Sequence, residues 1–556
     1  MIFSSRSANS RLFLVFFVLF LPSMVIALNA LDRDSDPVIL SGSDLPDLLG
    51  VSPGQVVAFK YEAGWIQVPV QIDERAVVDF GAVYNESPIG ITTWTYTDTS
   101  TFAGADPDTT FDADDELVFM AKDAGNQVPP ATIDPPGVVG GSRHEVMVSN
   151  PLSGMHAFIY IFQTDGSLSP GAGADYVNYN FNLLSGHYKT TYSFMSGPNP
   201  ENSEATTSYY RTHFSDRWIR DEVNVHAGAS TGADILDRHK NLFSPGNCAR
   251  SENTFSGGEG AFFINKDGPV RAIRSYMGAN SGPLTQREHI FYERRQDIRT
   301  FLRVHAISGV MDFYDYSPAA SGLTYCNDIN LSGVTIDGFP DVVTKGAIVW
   351  EMVTGPQGTL VIAHDMDTDI PGFAYTSYYA DDSTTSVTQC TGDDFEYGSS
   401  GPWIDQSIPN TDPYMSPYYK LISDRIVYYE GPNQTISLAE LLYDQATNPP
   451  TISVSTAVAK ISVPHSFELS RNFPNPFSNE TTIQFTLPEA SEVSLRIYDV
   501  TGRLVKTLLE GMAGKGTTPI VWNRTNTNGR RVPCGVYFYR LESNTRLATR
   551  KLVVID

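Results

Sequence analysis

The chain has 556 residues, a formal charge of −25, only 18% charged side chains and 12% aromatic ones; the length supplies roughly three or four domains. From His465 onward twelve Lys and Arg face eight Asp and Glu, so the preceding stretch holds 26 basic and 55 acidic residues, a net of −29. So acidic a body repels phosphate and excludes nucleic acid as a partner, while the abundance of β-branched and aromatic residues, and the rarity of long helical patterns, predicts an all-β, multidomain chain of β-sandwiches.

Arg6 and Arg11 precede an apolar run, Leu12 to Ala27, interrupted only by Pro22 and Ser23. A cationic start, an apolar core and small residues at a cut site predict a secretory signal over 1–27, with Ala30 as a second cut site. The run is shorter than the ~20 residues a span prefers. No later segment resembles a membrane span, so the mature chain is expected to pass through the periplasm without one.

Residues 31–167 read as a first β domain. Val56 to Tyr61 and Trp65 to Ile72 are strands around a Glu62-Ala63-Gly64 turn, followed by Glu116 to Ala121 and His156 to Phe162. Ahead of the third strand, Asp106, Asp108, Asp112, Asp114 and Glu116 crowd hard oxygen donors into eleven residues. Calcium takes roughly 6–8 such oxygens, so the run is a calcium candidate, although it lacks the glycine of an EF-hand loop; a solvated turn is the alternative.

Residues 168–444 read as a large β-sandwich-type domain of short runs broken by Gly, Asn, Asp and Pro. Its densest polar-aromatic group contains His187, Tyr188, Tyr209, Tyr210, Arg211, His213, Asp216 and Arg217. Elimination from a uronic acid needs a Tyr or His base and a cation on the carboxylate, which makes Tyr210, Arg211 and His213 catalytic candidates. Arg271, Arg274, Arg287, His289, Arg294, Arg295, Arg299, Arg303 and His305 form a second cationic set. The alternative is that Tyr and Arg merely decorate extracellular strands.

Gly228-Ala229-Ser230-Thr231-Gly232 matches the spacing of a nucleophile elbow, with 233–241 as a candidate helix, but the alternating βα pattern that such an elbow needs is missing. No P-loop, HExxH or dinucleotide glycine pattern occurs, so no cofactor other than calcium is expected. Of Cys248, Cys326, Cys390 and Cys534, the second and third are the expected pair in an exported chain. Ser437 to Asp444 predicts a helix capped by Ser437 with Glu440 three residues on, and 445–464 reads as an extended linker.

In the remaining segment, 465–556, Ile483, Phe485 and Leu487 alternate, as do Val493, Leu495 and Ile497, giving strands with one buried face. Asp499-Val500-Thr501-Gly502 is a turn, and Tyr537, Tyr539 and Leu541 oppose Val536, Phe538 and Arg540. About seven short strands in some ninety residues make a sandwich.

From Phe467 onward the segment resembles the type IX secretion system type A sorting domain, itself similar to the FlgD-type immunoglobulin-like fold. The resemblance rests on Leu469-Ser470-Arg471-Asn472-Phe473-Pro474-Asn475-Pro476-Phe477, on Thr481 to Pro488, on Val493 to Val505, on Gly535 to Leu541 and on Arg550 to Val554. Asn472, Pro474, Asn475, Pro476, Phe477, Gly502, Gly535 and Lys551 are the motif positions it marks. It implies recognition by the outer-membrane secretion machinery and a product that is secreted or held on the outer cell surface, with no catalytic residue in this segment. Two departures stand out: Trp522-Asn523-Arg524 replaces an acidic turn, a change expected to alter only surface charge, and Cys534 before Gly535 is expected to be a buried free thiol. The body is expected to be structural, adhesive or glycan-binding, with extracellular polysaccharide as partner; the alternative is a polysaccharide-degrading, lyase-like enzyme.

Overall fold

The computed structural model describes residues 31–555 except 84–89, 91, 102, 131, 186–198, 244–250, 258–259, 279–284, 303–305, 384–395, 411–418, 457–466, 489, 515 and 544–545. The signal expected over 1–27 lies outside the described residues, as do His187, Tyr188, Cys248, Arg303, His305 and Cys390. The chain divides into two compact units at Ala457 and Val458. Both are antiparallel β-structures, so the fold is all-β and multidomain as composition predicts.

The first unit begins with two packed sheets. Pro37–Ser41, Glu116–Met120 and Gln71–Asp73 form the smaller one; Thr451–Thr456, His144–Ser149, His156–Gln163, Val56–Tyr61 and Trp65–Val68 form the larger. Val38, Leu40, Leu117 and Phe119 meet Val56, Ala58, Val146, Val148 and Ile159 in one core. The far face of the larger sheet carries a second core of Val57, Phe59, Phe158, Tyr160 and Phe162. Burial on both faces explains why VVAF and AFIYIF are continuous apolar runs, not alternating ones. Gly42 lies where a Cβ would collide with the carbonyl of Asp112, so only glycine lets the acidic loop pack this closely.

The stretch read as linker contributes an element of this domain. After the helix Ile436–Thr447, Thr451–Thr456 pairs with His144–Ser149 as an edge strand. Arg33, fully buried, ties the two ends of the unit together. Its guanidinium donates to the carbonyls of Gln445 (3.1 Å) and Asn448 (2.6 Å), to Asn150 Oδ1 (3.0 Å) and to Asp36 Oδ2 (2.9 Å). The helix is capped by Thr435 with no side-chain bond, two positions earlier than the expected Ser437 cap and without its capping box.

The rest of the unit is a larger two-layer sandwich. One layer has nine strands in the order Ala261–Lys266, Ala272–Met277, Gln286–Phe291, Arg295–Phe301, Leu421–Glu430, Gly358–Thr368, Trp350–Gly355, Thr324–Asn327 and Asn330–Thr335. Facing it are two four-stranded sheets. The first runs Asn178–Asn180, Ser203–Thr206, Tyr210–Asp216 and Ile219–Val225; the second runs Leu236–Phe243, Val310–Tyr316, Glu396–Ile404 and Thr376–Asp382. Tyr210, Phe214 and Val223 from one side pack on Phe291, Ile298, Leu360 and Val427 from the other.

Several charged groups sit between the layers, each ion-paired or hydrogen-bonded, which offsets the cost of burying a charge. Arg274 bonds Glu201 (2.6 and 2.9 Å), Arg287 bonds Asp312 (3.0 Å), and Arg220 donates to the Tyr314 and Tyr429 hydroxyls (both 2.8 Å). Burial, and next the neighbouring Arg287 charge, depresses His239 to about 3, so it contacts Asp312 as neutral imidazole.

The second unit is a seven-strand sandwich. Glu468–Leu469, Thr481–Leu487 and Gly516–Trp522 form one sheet; Leu504–Ala513, Ser491–Asp499, Gly535–Ser543 and Arg546–Val554 form the other. Ile483, Phe485, Leu487, Val493, Leu495, Ile497, Tyr539 and Leu541 fill the space between them. The predicted alternation is thus the observed packing.

Candidate functional site

The outer face of the nine-stranded sheet is covered in two places. Ala439 and Leu442 of the Ile436–Thr447 helix pack over Trp350, Met352 and Tyr428. Elsewhere a ribbon of Arg75–Asp79 paired with Thr92–Tyr96 reaches from the first domain. Between ribbon and sheet lies a cleft of about 590 Å³, inside the roughly 300–1,000 Å³ range of small-ligand sites.

The cleft floor is a cross-strand row. Glu288 stands opposite Arg299, and Arg299 opposite Asp424, on three neighbouring strands. Arg299 grips Asp424 with both prongs (Nε to Oδ1 2.8 Å, Nη2 to Oδ2 2.9 Å), a two-point geometry that fixes the fork. In the next row Asp297 takes Arg295 (2.6 and 3.0 Å), which also reaches Asp36 (2.8 Å). On the wall, Glu116 accepts from Arg75 (2.9 Å), Arg271 (2.8 Å) and the Tyr96 hydroxyl (2.8 Å). Trp94 stands 43% exposed, with the Arg75 guanidinium 5.0 Å from its ring centroid.

Glu288 differs from its neighbours. Among the described residues no side chain or backbone group hydrogen-bonds it, and burial pushes its carboxyl up to about 7 against the opposing pull of Arg299, with the Glu116 charge adding to the rise. A half-buried acid that changes charge near neutrality, in a polar cleft beside an exposed indole, is the kind of group that marks a binding or catalytic site.

The catalytic candidates read from sequence are not brought together. Along Tyr210–Asp216 the side chains alternate. Tyr210 points into the core, stacked on Tyr429 at 3.7 Å with its hydroxyl on the Tyr292 carbonyl (3.1 Å). Arg211 and His213 face the other way, onto Glu204 (2.8 Å) and Asp221 (2.7 Å) respectively. Arg271, Arg274, Arg287 and His289 are interior, while Arg295 and Arg299 reach the cleft. The Ser230 hydroxyl donates to the Ala227 carbonyl (2.6 Å), and the element after it is the strand Leu236–Phe243 instead of a helix, so no nucleophile elbow forms.

The acidic loop turns its carboxylates onto its own backbone. Asp106 accepts from the N–H of Asp108 (2.8 Å), Asp108 from that of Thr110 (3.1 Å), and Asp112 from that of Asp114 (3.0 Å). Glu116 leaves the group for the cleft. Among the described residues no three acidic, His or Cys side chains converge as metal ligands. Burial, then Asp115 and Asp106, raises the nearby Glu74 to about 7. Cys326 is a buried free thiol.

Trp94, Glu288 and Asp424 escape the sequence reading because three distant segments supply them. Only the alternation of charge in QREHIF and RQDIRTF, polar on both faces of what is otherwise a core strand, hints at them.

In the C-terminal unit the motif residues form a buckle across both sheets. Asn472 Nδ2 bonds Thr481 Oγ1 (2.9 Å), Phe473 pairs with Thr482, and Phe477 N–H donates to the Val553 carbonyl (3.1 Å). Asn475 Oδ1 accepts from Val553 N–H (2.7 Å). Gly502, at φ +82°, closes the Asp499 turn, Gly535 opens its strand, and Lys551 is exposed. Arg524 corrects the expectation of a mere surface charge. It is buried and donates to the carbonyls of Val532 (3.1 Å), Ser478 (2.9 Å) and Ile555 (2.8 Å). Cys534 is exposed, not buried, because it sits in the turn before the Gly535 strand.

No curated protein matches the chain. Similar solved structures include a glycosyl hydrolase family 38 protein from Enterococcus faecalis (7% identity, TM-score 0.38, covering 89% of this chain and 57% of that one). An alpha-mannosidase from Enterococcus faecalis V583 (7%, 0.38, 88% and 54%) and dimeric latent PorU from Porphyromonas gingivalis (12%, 0.15, 71% and 35%) are two more. The chain thus spans little more than half the length of the first two. Among the described residues no helix is long and apolar enough to cross a membrane. Residues 471–555 match the family described as secretion system C-terminal sorting domain, so the C-terminal unit belongs to that family and the protein is one sorted to the cell surface or the extracellular space.

Proposed function

We propose that the body is a glycan-binding module delivered outside the cell, and that the cleft under the Arg75–Tyr96 ribbon is its binding site. The observation that carries the reading is the exposed Trp94 indole beside the Glu288–Arg299–Asp424 row. A sugar ring offers an apolar C–H face, which an indole accepts, and an edge of hydroxyls, which paired carboxylate and guanidinium groups hydrogen-bond from both sides. Arg299 and Asp424 hold each other in place, so little side-chain freedom remains to be lost on binding.

Screening the full chain against an array of extracellular oligosaccharides tests this. Binding to at least one class, weakened by Trp94→Ala, is expected. An array with no binder would overturn the reading and leave a structural or adhesive body.

A further inference from the structure

The charges of the cleft are unevenly matched. Its guanidinium groups are engaged: Arg75 with Glu116, Arg295 with Asp297 and Asp36, Arg299 with Asp424. Arg425, which reaches the cleft from the inner face of the sheet, bonds the Asp312 carbonyl and lies near its carboxylate (3.6 Å). Of the four lining carboxylates, Glu116, Asp297 and Asp424 are ion-paired, and Glu288 alone has no hydrogen-bonded partner among the described residues.

A ligand carboxylate entering here finds no spare cation. To bind, it must pull a guanidinium from a carboxylate that already holds it, leaving that acid unpaired in a partly desolvated site. A ligand ammonium meets the opposite situation, because Glu288 is a half-buried acid that no group hydrogen-bonds among the described residues. The groups around Glu288 reinforce this. Arg299 faces it from the next strand but is forked onto Asp424, Ser275 on the other neighbouring strand is neutral, and Glu116 approaches from the wall with Arg75 and Arg271 on it. An added positive charge at this point relieves the mutual repulsion of Glu288 and Glu116, the same repulsion that helps keep the Glu288 proton on near neutrality.

Resting on the glycan reading above, we infer that the cleft selects amino sugars bearing a free amine, with Glu288 as the counter-ion of the ammonium group and Trp94 as the platform for the ring. Uronic acids, which carry the opposite charge, are the class the cleft discriminates against.

The test is titration calorimetry of the full chain with three oligosaccharide probes: chitosan oligomers with free amines, the same oligomers N-acetylated, and oligogalacturonate. The amine form should bind about tenfold or more tightly than the acetylated form, and oligogalacturonate weakest. Glu288→Gln, which keeps the shape of the side chain, should erase the preference, so that the variant binds the amine and acetylated oligomers within about twofold of each other. Because the wild-type comparison needs no variant, the inference does not depend on the variant folding. Equal binding of amine and acetylated oligomers, or a preference for oligogalacturonate, overturns the amino-sugar inference and leaves the glycan reading in place. No binding of any of the three, together with an array without binders, removes both.

Discussion

Arg524→Ala should loosen the C-terminal unit without touching the body. The guanidinium reaches three carbonyls on three separate segments: Val532, Ser478 and Ile555. Removing it orphans the buried Val532 carbonyl and leaves the other two, whose bonds are only partly buried, to water. At about 1 kcal/mol net per lost hydrogen bond the loss is about 3 kcal/mol. That is a large share of the roughly 5–15 kcal/mol that holds a domain together. Hydrogen exchange on the full chain, followed by mass spectrometry, reads the two units separately. Peptides from 467–555 should exchange about a hundredfold faster, with peptides from 31–456 unchanged. Arg524→Lys, whose single ammonium cannot span three acceptors, should fall between the two. Exchange in 467–555 within about twofold of wild type would refute the assignment of Arg524 as the tie between these segments.

Three other perturbations have defined outcomes. Because the Glu288 carboxyl is raised in the folded state, its cost to stability is absent below its ordinary 4.5 and complete above about 7. Glu288→Gln should therefore melt higher than wild type at pH 8 and equally at pH 4; equal melting at both would contradict the shifted carboxyl. Asp312→Asn leaves Arg287 facing a neutral partner in the interior, at a cost of about 3–5 kcal/mol by urea denaturation; a loss under 1 kcal/mol would mean that the buried pair contributes little. Calcium at the 106–116 loop is a proposal that rests on the run of carboxylates in the sequence. Chelation should lower the melting temperature, Asp112→Ala with Asp114→Ala should remove that difference, and a melt indifferent to chelator discards the metal.

The C-terminal unit was legible because its information is local. Ile483, Phe485 and Leu487 alternate over seven residues, and the strand they form is closed by neighbours within the same ninety residues. The body was legible as strands but not as sheets. Nothing in Thr451–Thr456 says that it pairs with His144–Ser149 three hundred residues earlier, and its low apolar content reads equally well as linker. The strand Tyr210–Asp216 shows the same limit at the level of a site: Tyr210, Arg211 and His213 are close in sequence, yet a strand sends neighbours to opposite faces. Trp94, the Glu288–Arg299 pair and Asp424 come from three distant stretches; pairing within the nine-stranded sheet aligns the last three, and the ribbon brings Trp94 to the same cleft. The motif of the sorting unit was visible, but the structural work of Arg524 was not, because three of its partners are carbonyls, which leave no trace in side-chain identity, and the fourth, Cys534 Sγ (3.1 Å), lies ten residues on in another segment.

Carbohydrate binding in the cleft is measured most directly by comparing the affinity of the full chain for its best oligosaccharide ligand with that of Trp94→Ala and Arg299→Ala, each checked for an unchanged melt. Loss of the indole platform or of the bidentate fork should each weaken binding about tenfold or more. Undiminished affinity in both variants would place the binding surface elsewhere and contradict the account.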